Sequence, residues 1–310
     1  MRLRQSLGTL PRTWTFVGVG LLGVVVLVLS ALALTQHRGT PPAAESPSET
    51  RTPTESPEPT ASATPSAEPE APAAVAPTRH LTQLTTGTLI RSTTGECGGN
   101  APTVEFSTDA GATWAAGDTS TAGASQVLRL LSGDIGQAVT LDATCAPSGM
   151  WSFSEGAAWE QTADLVAGSW YFNPGAPTTV HAPAGDVPLP CTALALSAYE
   201  TTAIALCDDA TVVTTADNAA TWSAPVPAPG ALTVHAAADG FRVMLDGTAA
   251  QCAGVQVAAL ADGAVAPAGA CLAAEYAPGD VALAAGGDGT VVAWAGDVVG
   301  RSADGGANWG

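Results

Sequence analysis

The side chains that could do chemistry are few and scattered. Six cysteines stand at Cys97, Cys145, Cys191, Cys207, Cys252 and Cys271. Paired thiolates can hold zinc, run redox exchange or close disulfides. No Cys-x-x-Cys is present and no histidine lies beside a cysteine pair, so disulfides are the reading these spacings favour. Many pairings remain open to six cysteines. Cys191 and Cys207 flank a hairpin centred on Tyr199, and Cys252 and Cys271 flank a turn at Asp262-Gly263, which leaves Cys97 for Cys145. Each bond would add roughly 2–4 kcal/mol by restricting the unfolded chain. His181 and His235 are single histidines with no adjacent nucleophile pattern. Nothing resembles a nucleophile elbow, a phosphate-binding loop or a zinc motif. The string Gly286-Gly287-Asp288-Gly289 has the composition of a phosphate or calcium loop but reads better as a turn between strands. No catalytic, cofactor-binding or metal-ligating set is expected.

What recurs instead is a turn with an anchor. Ser107, Asp109, Gly111 and Trp114 form the pattern S-x-D-x-G-x-x-W, and Ser302, Asp304, Gly306 and Trp309 repeat it. Two copies lie between. Thr215, Asp217 and Trp222 carry Ala219 where glycine would stand; Ser152, Gly156 and Trp159 carry Ser154 where aspartate would stand. Glycine supplies the positive φ of a tight turn, and the Asp and Ser side chains can accept from turn amides. The Trp then starts the next strand and buries its ring against a neighbouring sheet. Repetition of such a unit predicts a repeat architecture.

The four strings resemble the Asp-box, or BNR, repeat of β-propellers, a group that includes sialidases, sortilin-type receptors and photosystem assembly factors. The resemblance covers about residues 81–310, with two copies complete and two departing at one position each. It implies an all-β propeller whose boxes sit on the hairpin between the third and fourth strands of a blade, away from the central face where ligands bind. Trp114 and Trp159 are 45 residues apart, and Trp222 and Trp309 are 87 apart. These distances predict six four-stranded blades, with five as the alternative and an extra blade turning near Gly185-Asp186. Short segments rich in Val, Thr or Leu supply the strands: Thr192–Ala198, Thr202–Cys207, Thr211–Thr215, Leu232–Ala236, Phe241–Leu245, Val281–Ala285 and Thr290–Trp294. The last blade is expected to lack an outer strand, which residues near Leu81–Ile90 would provide, with an incomplete C-terminus as the alternative.

The sialidase branch of the resemblance implies an arginine triad, a tyrosine nucleophile with a glutamate, and an acid. Residues of those types exist as Arg91, Arg129, Arg242 and Arg301, and as Tyr171, Tyr199 and Tyr276. The Phe-Arg-Ile-Pro signature does not; the nearest string, Gly240-Phe241-Arg242-Val243, comes late and lacks proline. Glu200 beside Tyr199 reads as a turn pair. A non-catalytic module that binds a protein, peptide or glycan, or assists envelope assembly, is therefore expected, and a sialidase-like glycoside hydrolase, degenerate or unusual, is the alternative.

The N-terminal part serves placement. Residues 1–13 include Arg2, Arg4 and Arg12, and residues 14–34 carry no charge. At 1.5 Å per residue that run can cross a bilayer, with the arginines on the cytoplasmic side. A signal peptide cut after Ala31-Leu32-Ala33 is the rival; both readings export the rest. Residues 35–80 form a linker of Pro, Ser, Thr, Glu and Ala, densest over 39–78, which buries too little apolar surface to fold. It is a stalk beneath an extracellular domain at 81–310. The net charge of −18, with arginine the only strong base, excludes nucleic acid as a partner. The alanine-rich, lysine-free composition is that of an actinobacterial protein.

Overall fold

The computed structural model describes residues 74–267 and 269–310. The expected membrane span at 14–34 and most of the expected linker lie outside these residues. Among the described residues no helix is long and apolar enough to cross a membrane.

The chain is an all-β propeller of five blades, each an antiparallel sheet. Blade one is β1 (Arg79–Gln83), β2 (Leu89–Thr93), β3 (Val104–Ser107) and β4 (Ala115–Ala116); blade two is β5 (Gln126–Leu131), β6 (Gly136–Leu141), β7 (Pro147–Ser152) and β8 (Glu160–Thr162). A one-turn helix α1 (Asp164–Ala167) and a hairpin of β9 (Thr179–Ala182) and β10 (Gly185–Pro188) follow. Blade three is β11 (Ala193–Tyr199), β12 (Thr202–Cys207), β13 (Thr211–Thr215) and β14 (Val226–Pro227). Blade four is β15 (Ala231–Ala237), β16 (Gly240–Asp246), β17 (Gly254–Ala261) and β18 (Ala264–Pro267), with β19 (Leu272–Ala273) also on β17. Blade five is β20 (Val281–Ala285), β21 (Val291–Ala295) and β22 (Val298–Ser302).

Five blades, not six, is a correction to the spacing argument. The segment expected to be a compact extra blade makes only the β9–β10 pair. Pro174 and Pro177 precede it, Pro188 ends β10 and Pro190 follows, and proline cannot donate to a ladder. The hairpin is instead an insert. Its Val180 and Ala182, with Trp170 and Leu189, join Ala198, Ala203, Ala205 and Val213 of blade three in one buried cluster. Trp159 and Trp222 are therefore separated by one blade plus an insert.

Closure also differs from expectation. Residues 79–93 do not complete blade five; they are the two inner strands of blade one. The ring shuts because β20 and β1 lie side by side. Thr78 donates its backbone N–H to Gly279 O at 2.8 Å, and Arg79 pairs with Asp280 at 3.2 Å. Guanidinium groups and indoles alternate across this seam. Arg79 lies over Trp294 at 4.3 Å, Arg91 over the same ring at 4.7 Å, and Arg91 over Trp114 at 4.1 Å. Where a fourth strand of blade five would run, Gly310 exchanges backbone hydrogen bonds with Arg301.

Between blades the core is built from both faces of each sheet. Ile90, Val104, Val127, Ala138 and Met150 fill the space between blades one and two with Trp159. Alanine, a helix former by propensity, is buried here in strands; Ala282, Ala284, Ala293 and Ala295 leave little side chain between close sheets. Three disulfides join Cys97 to Cys145, Cys191 to Cys207 and Cys252 to Cys271, with Cα separations of 5.7, 5.8 and 5.9 Å.

Candidate functional site

The four repeated loops all lie at the outer end of a third strand: after β3, β7, β13 and β22. Their hydrogen bonds are nearly superimposable. Ser107 Oγ donates to Asp109 Oδ1 at 2.7 Å and accepts from Gly111 N at 2.8 Å, while Asp109 Oδ1 accepts from Thr113 N at 2.9 Å. Thr215 with Asp217, and Ser302 with Asp304, do the same toward Ala219 and Thr221, and toward Gly306 and Asn308. The second aspartate oxygen takes the side chain four residues on: Thr113, Thr221 or Asn308. Hydrogen bonds from those side chains, then from turn groups, hold the three carboxyls at about 2. In the second loop Ser154 Oγ accepts from Ala158 N at 2.9 Å, and alanine offers no side-chain donor. The missing aspartate and its missing partner are one change.

The tryptophans are unequal anchors. Trp159 is fully buried, with its indole N–H on Gly156 O at 3.0 Å. Trp114 is half-buried beneath Arg91 and donates to Gly111 O at 3.0 Å. Trp309, also half-buried, reaches Ala270 O at 3.1 Å, and the indole nitrogen of half-buried Trp222 has no protein partner. Among the described residues no cluster of His, Cys, Asp or Glu is placed to hold a metal ion.

The residue types of a glycosidase site are present but dispersed. Arg91 pairs with Glu105 on blade one at 2.7 Å, Arg242 with Asp239 on blade four, and Arg301 is exposed on blade five. Tyr276 donates to Asp246 Oδ2 at 2.7 Å, and Tyr171 stacks on His181 with centroids 4.7 Å apart. Tyr199 and Glu200 form the β11–β12 turn, Glu200 at φ 50°. His181 Nδ1 meets Asp186 Oδ1 at 2.6 Å on the inserted hairpin. The 286–289 string is the β20–β21 turn, with Gly286 N on Thr290 O.

The concave site is the axial channel, a cavity of about 330 Å³ walled by the inner strands β1, β5, β11, β15 and β20. Leu128, Leu194, Leu196, Leu283 and Phe172 are among its apolar lining; Thr82, Ser132, Ser197 and Thr233 bring hydroxyls. Arg79, Arg129, His80 and His235 bring cationic or neutral nitrogen. Arg129 reaches across from β5, where the ladder to β6 is irregular between Val127 and Arg129. Its guanidinium donates to Trp170 O at 3.0 Å and to Ala198 O, clamping the insert and blade three to blade two. Burial lowers its pKa to about 10. His80 Nε2 bonds Val127 O at 3.0 Å, and burial pushes the ring down to about 4. His235 falls to about 4 as well, through burial and then the charge of Arg129. Both imidazoles are neutral near pH 7.

Sequence reasoning named Arg129 and His235 but not Arg79 or His80. The composition of the linker masked them, since its boundary was drawn at 80. Two adjacent basic residues leading into the alternating run Leu81-Thr82-Gln83 were the available signal.

No family model matches the chain, and no curated protein matches it. Solved structures similar to it include a mutant of the Aleuria aurantia lectin AAL in complex with Fucα1-6GlcNAc, at 10% identity and a TM-score of 0.47, covering 72% of this chain and 90% of that one. A triple arginine-to-alanine mutant of AofleA from Arthrobotrys oligospora shares 10% identity at a TM-score of 0.47, over 74% and 82% of the two chains. YCF48 bound to D1 peptide shares 14% at 0.38, over 78% and 85%. Similarity at this level leaves the function to the geometry of the chain itself.

Proposed function

We propose that this chain is a membrane-anchored, extracellular five-bladed propeller that works as a non-catalytic binding module, with its ligand seated in the axial channel. The channel carries the reading: a concave, mainly apolar cavity with a few convergent polar groups is the usual form of a small-ligand site. Its polar side chains hold and orient; they form no nucleophile–base pair. Of the arginines and tyrosines that a glycosidase would gather, Arg91 and Arg242 pair with carboxylates on separate blades, Tyr276 is bonded to Asp246, and Arg301 is exposed on a further blade. The repeated loops act as Asp-box rivets that stiffen each blade and leave the channel to recognition. The apolar run at 14–34 anchors the chain, and residues 35–80 raise the propeller from the membrane.

The test is capture by the full chain in lipid nanodiscs from cell-envelope extracts and from peptide and glycan arrays, beside an assay on fluorogenic sialosides. A specific ligand retained without being consumed supports the reading. Turnover of any glycoside that persists through purification would replace it with the hydrolase.

A further inference from the structure

The described residues carry 22 carboxylate side chains against five arginines, yet the channel lining inverts that balance. It includes Arg79 and Arg129 and not one Asp or Glu. The two guanidinium groups are not equivalent. Arg79 is neutralised by Asp280 at 3.2 Å and covered by Trp294. Arg129 has two carbonyl acceptors and no carboxylate among the described residues. A guanidinium has five donors in a planar fork, and two carbonyls do not exhaust them. A half-buried cation without a counter-charge beside apolar walls favours an anionic ligand.

The rest of the lining says what kind of anion. Sugars are recognised by acceptors and aromatic platforms; the lining has no Asp, Glu, Asn, Gln, Trp or Tyr, and Phe172 is its one benzenoid ring. Leucines line the wall on β1, β5, β11 and β20, and β15 adds Val234 and Ala236. The volume of about 330 Å³ is at the small end of ligand cavities, about 300–1,000 Å³.

We propose that the axial channel binds an aliphatic monocarboxylate, its carboxylate on Arg129 and its hydrocarbon against Leu128, Leu194, Leu196 and Leu283. The inference rests on the binding-module reading and narrows its ligand. Two sources share this chemistry: a free short-chain fatty acid, and the C-terminal residue of an apolar peptide. The acidic exterior repels such an anion at long range, so salt screens the approach more than the buried contact. Affinity therefore holds or rises between 10 and 150 mM salt, about three- to fourfold in Debye length.

Carboxyl-labelled octanoate, followed by carbon NMR against the full chain in nanodiscs, tests this directly. A carboxylate paired with Arg129 titrates below its solution value, whereas octanoate dissolved in bilayer titrates above it; empty nanodiscs give the second signal alone. The expected result is a saturable, down-shifted resonance, displaced by unlabelled octanoate but at least tenfold more weakly by octanamide or acetate. Arg129→Gln should lose the resonance. Because Arg129 also clamps two blades, the octanamide competition on the unaltered chain decides the matter if that variant does not fold. N-acetyl-leucyl-leucine in place of octanoate separates the sources: tighter binding of the dipeptide assigns a peptide terminus, tighter binding of octanoate a fatty acid. Equal displacement by octanamide overturns the anionic class, and absence of a down-shifted resonance with both probes overturns the inference entirely. The binding-module reading falls separately, when envelope capture yields no ligand or glycosides are turned over.

Discussion

Lowering the pH from 6 to 5 should cost the propeller about 2 kcal/mol of stability, and two histidines in the channel wall account for it. His80 and His235 are held near 4 in the folded state, chiefly by burial, against an ordinary value of 6.5. Between those values the unfolded chain binds protons that the folded chain refuses. Stability is therefore full above about 6.5, falls as pH drops, and levels off below about 4. One proton of difference is worth about 1.36 kcal/mol per pH unit. From pH 6 to 5 the unfolded rings are mostly protonated and the folded rings mostly neutral, so each contributes about 1.2 kcal/mol. For a domain of this size the pair lowers Tm by roughly 4–8 °C.

The three loop aspartates do not confuse this window. Held at about 2 by turn hydrogen bonds, they contribute stability above about 3.8 that is lost only as pH falls toward 2. Calorimetry at pH 6.0 and 5.0, with disulfides intact, measures the step. The double variant His80→Gln, His235→Gln should flatten it, since glutamine can still donate to Val127 O without titrating. An unaltered step in the double variant, or no step in the parent chain, would refute the reasoning.

Three further outcomes follow from the same geometry. Trp159→Ala should cost about 3–5 kcal/mol and Trp114→Ala less, because one indole is fully buried and the other is half-buried under Arg91; urea denaturation ranks them, and equal losses would count against this packing. Replacing Ser154 by Asp together with Ala158 by Thr should rebuild the second loop on the pattern of the first, with a favourable coupling of about 0.5–1 kcal/mol in a double-mutant cycle. Removing Cys97–Cys145, which spans 48 residues, should cost about 4 kcal/mol, and Cys191–Cys207, which spans 16, about 3; melts of the paired serine variants check the order.

Local features were legible in the sequence and ring-level features were not. The turn residues of the four loops, the strands Thr202–Cys207, Thr211–Thr215 and Val281–Ala285, and two cysteine pairs symmetric about hairpins all depend on neighbours within a few residues. The blade number failed because the spacing counts 163–192 as a compact blade, while it is shorter than the observed four-stranded blades and forms only a hairpin. The channel was invisible for a related reason. Its wall takes one strand from each blade, so Arg129 and His235 become neighbours only after the ring has closed. His80 and Arg79 were lost to a boundary drawn by composition, although they begin the first inner strand.

The closing seam explains why one channel arginine is free and the other is not. A propeller that shares a strand between its first and last blades is held by a ladder of backbone hydrogen bonds. Here β1 and β20 are inner strands of separate sheets, and beside the Thr78–Gly279 backbone bond the seam relies on side chains. Arg79, Trp294, Arg91 and Trp114 stack in alternation, with Asp280 and Glu105 as counter-charges. Each cation–aromatic contact is worth about 0.5–2 kcal/mol, more when water is excluded. Arg79 is thus consumed by closure. Arg129 on β5 instead donates to the carbonyls of Trp170 in the insert segment and Ala198 on blade three, which satisfy its geometry but not its charge. The same shortage of carboxylates at the channel wall that sets it apart from the acidic exterior leaves Arg129 without a counter-charge among the described residues.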